Sequence, residues 1–484
     1  MATETVTKNT TYLTSSYIWQ KLLSFFYFVM VARFIGVENL GKYAFAISFV
    51  TLFAVFVDLG LNQALIRESA KFQEKSKNYL SSILSVKVLG SFIVYIIVVV
   101  LINLLNYPTL TKTLVYLAGI PMIFDQFANT FWAVFRGHQN LKWEAISIAI
   151  NQVIILVIGL TVLYLRLPLV WLMLPFICAS LFSFLFAGYS VRKILKVKYL
   201  LRFDKKILLF LFSIAVPFAL IAVFSRVYGY IDTVMLSKMI GDKAVGWYQV
   251  AMKIPFALQF IPAALAAAIF PAFSHHFLHN KGQLKFTFDR VMKFLMIIVV
   301  PISVGVAVLA RPIIMFFYGP EYEPSILPLQ ILMAGLIFVF LNFPLGSLLN
   351  ACNKHVTNMI LVGVIMVINI GLNIYLIPEY SFVGAAFSFL VSHCLLFIVS
   401  LFVANKIIPY SKFNLLSVIL KTMISVLAMG VVLTYLISTL HFIVLIAIGA
   451  LIYLGVMFII RGFTTNDLKY FWQVLIKRKK VGDS

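Results

Sequence analysis

Long apolar runs dominate this chain of 484 residues, and they admit few folds. Fourteen stretches are mostly hydrophobic: 12–35, 41–66, 80–105, 113–135, 144–166, 169–191, 207–235, 246–273, 291–318, 326–350, 356–378, 382–404, 415–438 and 441–461. About 20 such residues suffice to cross a bilayer as a helix. In hydrocarbon every backbone N–H and C=O needs an internal partner, so spans of this length are helices. The polar remainder is too small for a water-facing surface: charged residues make up 11% and hydrophobic ones 62%, whereas globular proteins carry about 25% charged residues. The expected fold is therefore an all-α polytopic membrane protein with 14 transmembrane helices. Residues 1–11 are polar with only Lys8 positive, and the first span is too long for a signal-peptide core, so the first helix is expected to stay in place.

Basic residues orient the spans. With the N-terminus inside, the inner segments hold 28 of the 39 Lys and Arg, the outer ones hold five (Lys42, Lys112, Arg166, Lys238, Lys243) and six lie within spans. That asymmetry places both termini in the cytoplasm and supports an even span count. It also accounts for the formal charge of +23 without invoking nucleic acid. The connections assigned to the outside are short, leaving no room for an external catalytic domain. The tail segment 464–480, TTNDLKYFWQVLIKRKK, reads as an amphipathic helix on an anionic inner leaflet.

An internal repeat divides the chain. Residues 31–48, VARFIGVENLGKYAFAIS, align with 236–253, LSKMIGDKAVGWYQVAMK, at an offset of 205. Gly36 meets Gly241, Gly41 meets Gly246, Tyr43 meets Tyr248, and Arg33 meets Lys238. Each copy joins the first two helices of a six-helix block, and the even number of intervening spans keeps both blocks in the same orientation. Expected are two six-helix lobes, 1–206 and 207–405, related by an axis along the membrane normal as in parallel-repeat transporters. Two appended helices (406–461) and a basic cytoplasmic tail (462–484) follow. Rocking lobes of this kind place a substrate cavity between them. The prolines at 217, 255, 262, 271, 301 and 312 mark places where helices bend.

Nine ionisable residues interrupt the spans. Each costs about 2.5–3.5 kcal/mol at a helix centre on insertion scales, so it is expected to face a cavity or a partner. Six are basic: Lys21, Arg33, Lys87, Arg226, Lys253 and Arg311. Arg33, Lys87 and Arg311 lie near span ends and can snorkel to the interface. Lys21, Arg226 and Lys253 lie deeper and are the stronger candidates for a cationic cavity. Such a cavity attracts an anion, and arginine grips phosphate bidentately, so the expected ligand is anionic and phosphate-bearing. Tyr27, Tyr228, Tyr230 and Trp247 are near enough in sequence to stack on sugars or to sit in an interfacial belt. The acids are Asp58, Asp125 and Asp232. Asp125 is a candidate for binding a coupling H+ or Na+; Asp58 reads as the partner of a neighbouring cation, and Asp232 as a partner of Lys253.

Other motifs carry no chemistry. GVENLGK at 36–42 lacks the Ser/Thr of a phosphate-binding loop and has no strand before it. His275, His276 and His279 are too few for a zinc site. The sequon at Asn9 falls on the cytoplasmic side. Cys178, Cys352 and Cys394 stand singly and read as small hydrophobes. No nucleophile–base constellation, metal set or cofactor motif is present, so the chain is not read as an enzyme.

Residues 33–71 carry the Gly36–Gly41–Tyr43 turn, Asp58-Leu59-Gly60-Leu61 and Arg67-Glu68. This passage closely resembles the opening of polysaccharide-biosynthesis flippases, the Wzx-type branch of the multidrug/oligosaccharidyl-lipid/polysaccharide exporter superfamily. Residues 231–255 resemble that family's seventh-to-eighth helix region. The resemblance implies alternating-access transfer of a polyprenyl-(pyro)phosphate-linked oligosaccharide from the inner to the outer leaflet of the cell membrane, often driven by an ion gradient. It implies the bilayer and other glycan-assembly membrane proteins as partners. A lipid II-type flippase and a drug/cation antiporter of the same superfamily are the alternatives; acids would dominate the cavity of the latter. A glycan polymerase or ligase would need the large outer loop that is missing here.

Overall fold

A computed structural model of the chain describes residues 2–463. The described residues form fifteen α-helices and short 3-10 segments, with no strand among them. In order they are α1 (Ala2–Asp58), α2 (Leu61–Lys71), α3 (Ser76–Leu104), α4 (Thr109–Gly137), α5 (Lys142–Tyr164), α6 (Leu174–Lys193), α7 (Lys205–Met239), α8 (Asp242–Leu258), α9 (Phe260–His279), α10 (Lys281–Val308), α11 (Ala310–Phe317), α12 (Ile326–Ala351), α13 (His355–Ile407), α14 (Lys412–Leu436) and α15 (Phe442–Ile459). The basic tail expected to lie on the inner leaflet falls outside the described residues.

Fourteen membrane crossings are built from these helices. Eleven helical stretches are long and apolar enough to cross a bilayer. Two of them are interrupted and supply two crossings each. A straight helix of the length of α1 would run about 85 Å, far beyond a bilayer. It is broken at Gly36, where φ is 75° and ψ 168°. Helix α13 is broken at Ser381 (φ 54°), where the chain reverses so tightly that a Cβ on Gly384 would overlap the Leu376 carbonyl. The more polar α4 supplies the remaining crossing.

Three spans that read as continuous in the sequence are divided. The second ends at Asp58, because Leu59 (φ 43°) and Gly60 (φ 75°) are left-handed, and α2 resumes in a new direction. The other two breaks follow from proline. Pro262 has no N–H to offer the Leu258 carbonyl, and the helix divides into α8 and α9 at Gln259. Pro312 likewise cannot serve the Val308 carbonyl, and α10 gives way to α11 across Leu309. By contrast Pro121, Pro217 and Pro301 are accommodated inside their helices.

The chain divides into two compact units. The first comprises Met1–Ala257, Tyr318–Ser325 and Met359–Ser388. A core of buried residues from α2, α3, α4, α6 and α7, including Leu65, Leu80, Phe131, Phe135 and Leu211, occupies one end of it. The second comprises Leu258–Phe317, Ile326–Asn358 and the described part of 389–484, with α10 packed between α12 and α14. Its tyrosine at 453 ties α15 to α10 by donating to the Ile297 carbonyl at 2.9 Å.

Within the first unit the two repeated turns meet. Gly36 and its counterpart Gly241 both have positive φ, 75° and 117°, which is why glycine stands at each. A Cβ on Gly41 would overlap the Asp242 carbonyl, and one on Gly246 would overlap the Val37 carbonyl. Asp242 lies 205 residues beyond Val37, so the two contacts are images of each other. This is the reciprocal packing that a two-fold axis produces. The segment at 318–325 pins the turns from outside. Tyr322 donates to the Ala32 carbonyl at 2.7 Å, the Trp247 indole donates to the Glu321 carbonyl at 3.0 Å, and the Val37 N–H donates to Glu321 Oε1 at 3.3 Å.

Gly41→Ala and Gly246→Ala are each expected to lower the melting temperature of the detergent-purified protein. Both open the same interface, so the double variant should lose less than the two single losses combined. Thermal unfolding of the three variants checks this.

Candidate functional site

The deep cations gather in the first unit. Lys21, on the first half of α1, places its Nζ 4.2 Å from the centre of the Phe256 ring of α8. Lys253 of α8 places its Nζ 4.4 Å from the centre of the Phe28 ring of α1. Each helix thus offers the other a cation and an aromatic face, an arrangement worth about 0.5–2 kcal/mol per pair. The two ammonium groups are close enough for Lys21 to act electrostatically on Lys253. Two like charges held together in an apolar setting attract an anion strongly.

Arg226 is the third cation. It lies 205 residues beyond Lys21, the offset that carries Gly41 onto Gly246, so the two repeats place a cation at equivalent positions. Arg226 lines a cavity of about 330 Å³ with Asp125, Gln126 and Asn129 of α4, Thr51 of α1 and Tyr230 of α7. Its guanidinium is 6.0 Å from the centre of the Tyr230 ring. Asp125 faces the same cavity and forms no ion pair with Arg226 among the described residues. The cavity thus holds both signs and several amide and hydroxyl groups, a more polar lining than one built from cations alone.

The remaining sequence candidates have other places. Lys87 is fully buried and does not snorkel. It donates to Asp58 Oδ1 at 2.5 Å and to Asn62 Oδ1 at 3.0 Å, and the same Asp58 oxygen accepts the Asn62 N–H. The Asp58-Leu59-Gly60-Leu61 motif therefore combines a buried ion pair with a left-handed Gly60 against α7, where a Cβ would come within 2.6 Å of the Ala215 carbonyl. Arg33 is exposed on α1, and Arg311 is exposed on α11 of the second unit.

Asp232 does not pair with Lys253. It is buried among neutral groups, with the Tyr248 hydroxyl donating to Oδ2 at 3.0 Å and Asn373 Nδ2 donating to Oδ1 at 2.6 Å. Asn373 also donates to Asn369 Oδ1 at 3.3 Å. The repeat offset carries Tyr43 onto Tyr248 and Tyr27 onto Asp232, so only the second copy places an acid beside its turn tyrosine. Sequence reading missed Asn369 and Asn373, although two amides four residues apart in an apolar span are a visible signal. It also missed Glu321 and Tyr322, whose partners lie nearly 300 residues away. His275 stacks on His279 and meets His276 edge-on, and no metal-ligand cluster occurs among the described residues.

Comparison with known proteins gives the family. Residues 6–277, more than half of the chain, match the family described as polysaccharide biosynthesis protein. The chain belongs to that family. Residues 217–375 also match the MatE family. The capsular polysaccharide biosynthesis protein CapF of Staphylococcus aureus is 21% identical over 80% of this chain and 96% of its own length. A putative O-antigen transporter of Shigella flexneri is 23% identical over 74% of this chain and 88% of its own. Among solved structures, the lipid II flippase MurJ in an inward closed conformation superposes with a TM-score of 0.78 at 19% identity. The match covers 94% of this chain and 99% of that one.

Lys87 and Asp58 make a sharp stability test, because removing one partner of a buried ion pair strands the other. Lys87→Met is expected to cost about 3–5 kcal/mol. The double variant Lys87→Met/Asp58→Asn, which strands no charge, should recover much of the loss in thermal unfolding.

Proposed function

We propose that the chain is a flippase that carries a polyprenyl-(pyro)phosphate-linked oligosaccharide from the inner to the outer leaflet by alternating access, for export of a cell-surface polysaccharide. Two features of one unit carry the reading, the Lys21–Lys253 pair and the Arg226 cavity. Phosphate is the part of such a substrate that fixed cations in an apolar setting recognise, with Arg226 offering a bidentate grip and the two lysines point charges. The amides and Thr51 around the cavity suit sugar hydroxyls. Lobes 1–206 and 207–405 would rock about the axis implied by the reciprocal Gly41 and Gly246 contacts. The charge asymmetry of the loops supports a cytoplasmic position for both termini. The relatives named for capsular polysaccharide and O-antigen support this substrate class. In this reading the chain moves its ligand and leaves the glycan unchanged.

Native mass spectrometry of the protein in mild detergent tests the reading, with a polyprenyl-pyrophosphate glycan titrated against a lipophilic cation. The anionic lipid should bind preferentially, and Lys21→Ala, Arg226→Ala and Lys253→Ala should each weaken it about tenfold or more. Preference for the cation would make the chain a drug/cation antiporter and overturn the proposal.

Asp232 is the acid best suited to an ion-coupling role. A carboxylate buried beside neutral groups is stabilised by a bound proton or cation, and Asn373 Oδ1, itself buried without a hydrogen-bond partner, adds a second hard oxygen. Sodium should raise the melting temperature of the wild type and have no effect on Asp232→Asn. A sodium response that survives the substitution moves the ion elsewhere, with Asp125 the next candidate.

A further inference from the structure

A second polar cavity, of about 380 Å³, lies within the second unit and has no part in the site above. Its volume is within the ~300–1,000 Å³ range of ligand pockets. Helix α10 contributes Phe286, Asp289, Arg290 and Lys293, whose spacing of three, four and seven places them on one face. Helix α14 contributes Ser417 and Lys421, and the chain just beyond α15 contributes Arg461. Four cations and one carboxylate therefore surround a space bounded by three chain segments.

The cavity is a built feature. Lys421 donates to the Arg461 carbonyl at 3.0 Å, tying α14 to the end of α15. The Arg290 guanidinium lies 4.6 Å from the centre of the Phe286 ring. Asp289 Oδ2 accepts the Ser411 N–H at 3.4 Å, while its Oδ1 is buried without a hydrogen-bond partner. Beside the cavity α14 is apolar and exposed, with Leu416 and Leu420 both 55% accessible. A ligand here is thus offered cations for an anionic group, an acceptor for a hydroxyl, and an apolar helix face for a chain. All three segments lie at the end that the charge asymmetry assigns to the cytoplasm.

We infer that this cavity binds the phosphate headgroup of a lipid in the inner leaflet, with Arg290, Lys293, Lys421 and Arg461 around the phosphate and Asp289 accepting from a headgroup hydroxyl. Basic pockets between transmembrane helices on the cytoplasmic side suit such headgroups. The site anchors the two appended helices to α10 through a shared ligand. Two lipids present this chemistry, an anionic phospholipid of the bilayer and a polyprenyl pyrophosphate.

The test is native mass spectrometry of the full chain with phosphatidylglycerol, phosphatidylcholine, polyprenyl pyrophosphate and inorganic phosphate titrated separately. The variant Lys293→Gln/Lys421→Gln is compared with Lys196→Gln/Lys198→Gln, which removes the same charge from another loop assigned to the cytoplasm. A loss of about tenfold or more in phosphatidylglycerol affinity, confined to the first variant, identifies a bilayer phospholipid as the occupant. The same loss for polyprenyl pyrophosphate alone identifies the carrier lipid. Equal losses in both variants, no loss in either, or binding of phosphatidylcholine as tight as of phosphatidylglycerol overturns the site. Lys421→Arg, which keeps the charge and a donor for the Arg461 carbonyl, should retain binding and so separates lost recognition from lost folding.

Discussion

Hydrocarbon as a solvent is the constraint on which everything else in this protein depends. It accepts no unpaired backbone group, so the spans are helical, and it tolerates few charges, so each charge that remains inside needs a partner or a task. Lys87 and Asp58 have each other. Lys21 and Lys253 have aromatic faces, which hold a cation without neutralising it. That difference separates a structural charge from one available to a ligand, and the identity of the residues alone does not express it.

The internal repeat organises the first unit beyond simple duplication. Equivalent glycines at 41 and 246 let the two turns pack backbone to backbone, and each contact is repeated by its image. The same offset places Lys21 and Arg226 at matching points and then departs from symmetry at Tyr27 and Asp232. The matched position thus holds a cation in each copy, and the second copy adds Lys253 and a buried carboxylate near its turn.

The breaks in the helices follow equally local rules with distant consequences. Pro262 and Pro312 each remove one hydrogen-bond donor, and the preceding helix ends four residues upstream, at Leu258 and Val308. The boundary between the compact units falls at Ala257 and Leu258, beside the first of these breaks.

Span number, helical character, the turn glycines and the set of intramembrane charges were legible in the sequence because each follows from local chemistry: apolar length, the φ a turn demands, the cost of a charge in lipid. Partner choice was not. Asp232 sits on a helix that can face several neighbours, and only packing brought Tyr248 and Asn373 to it in place of Lys253. Lys87 near a span end reads as a snorkelling side chain until Asp58 and Asn62 are seen to enclose it. Glu321 and Tyr322 reach the first turn from nearly 300 residues away, a contact no periodicity encodes. Local energetics decide what each segment becomes. The three-dimensional packing of those segments decides which charges cancel and which remain to bind.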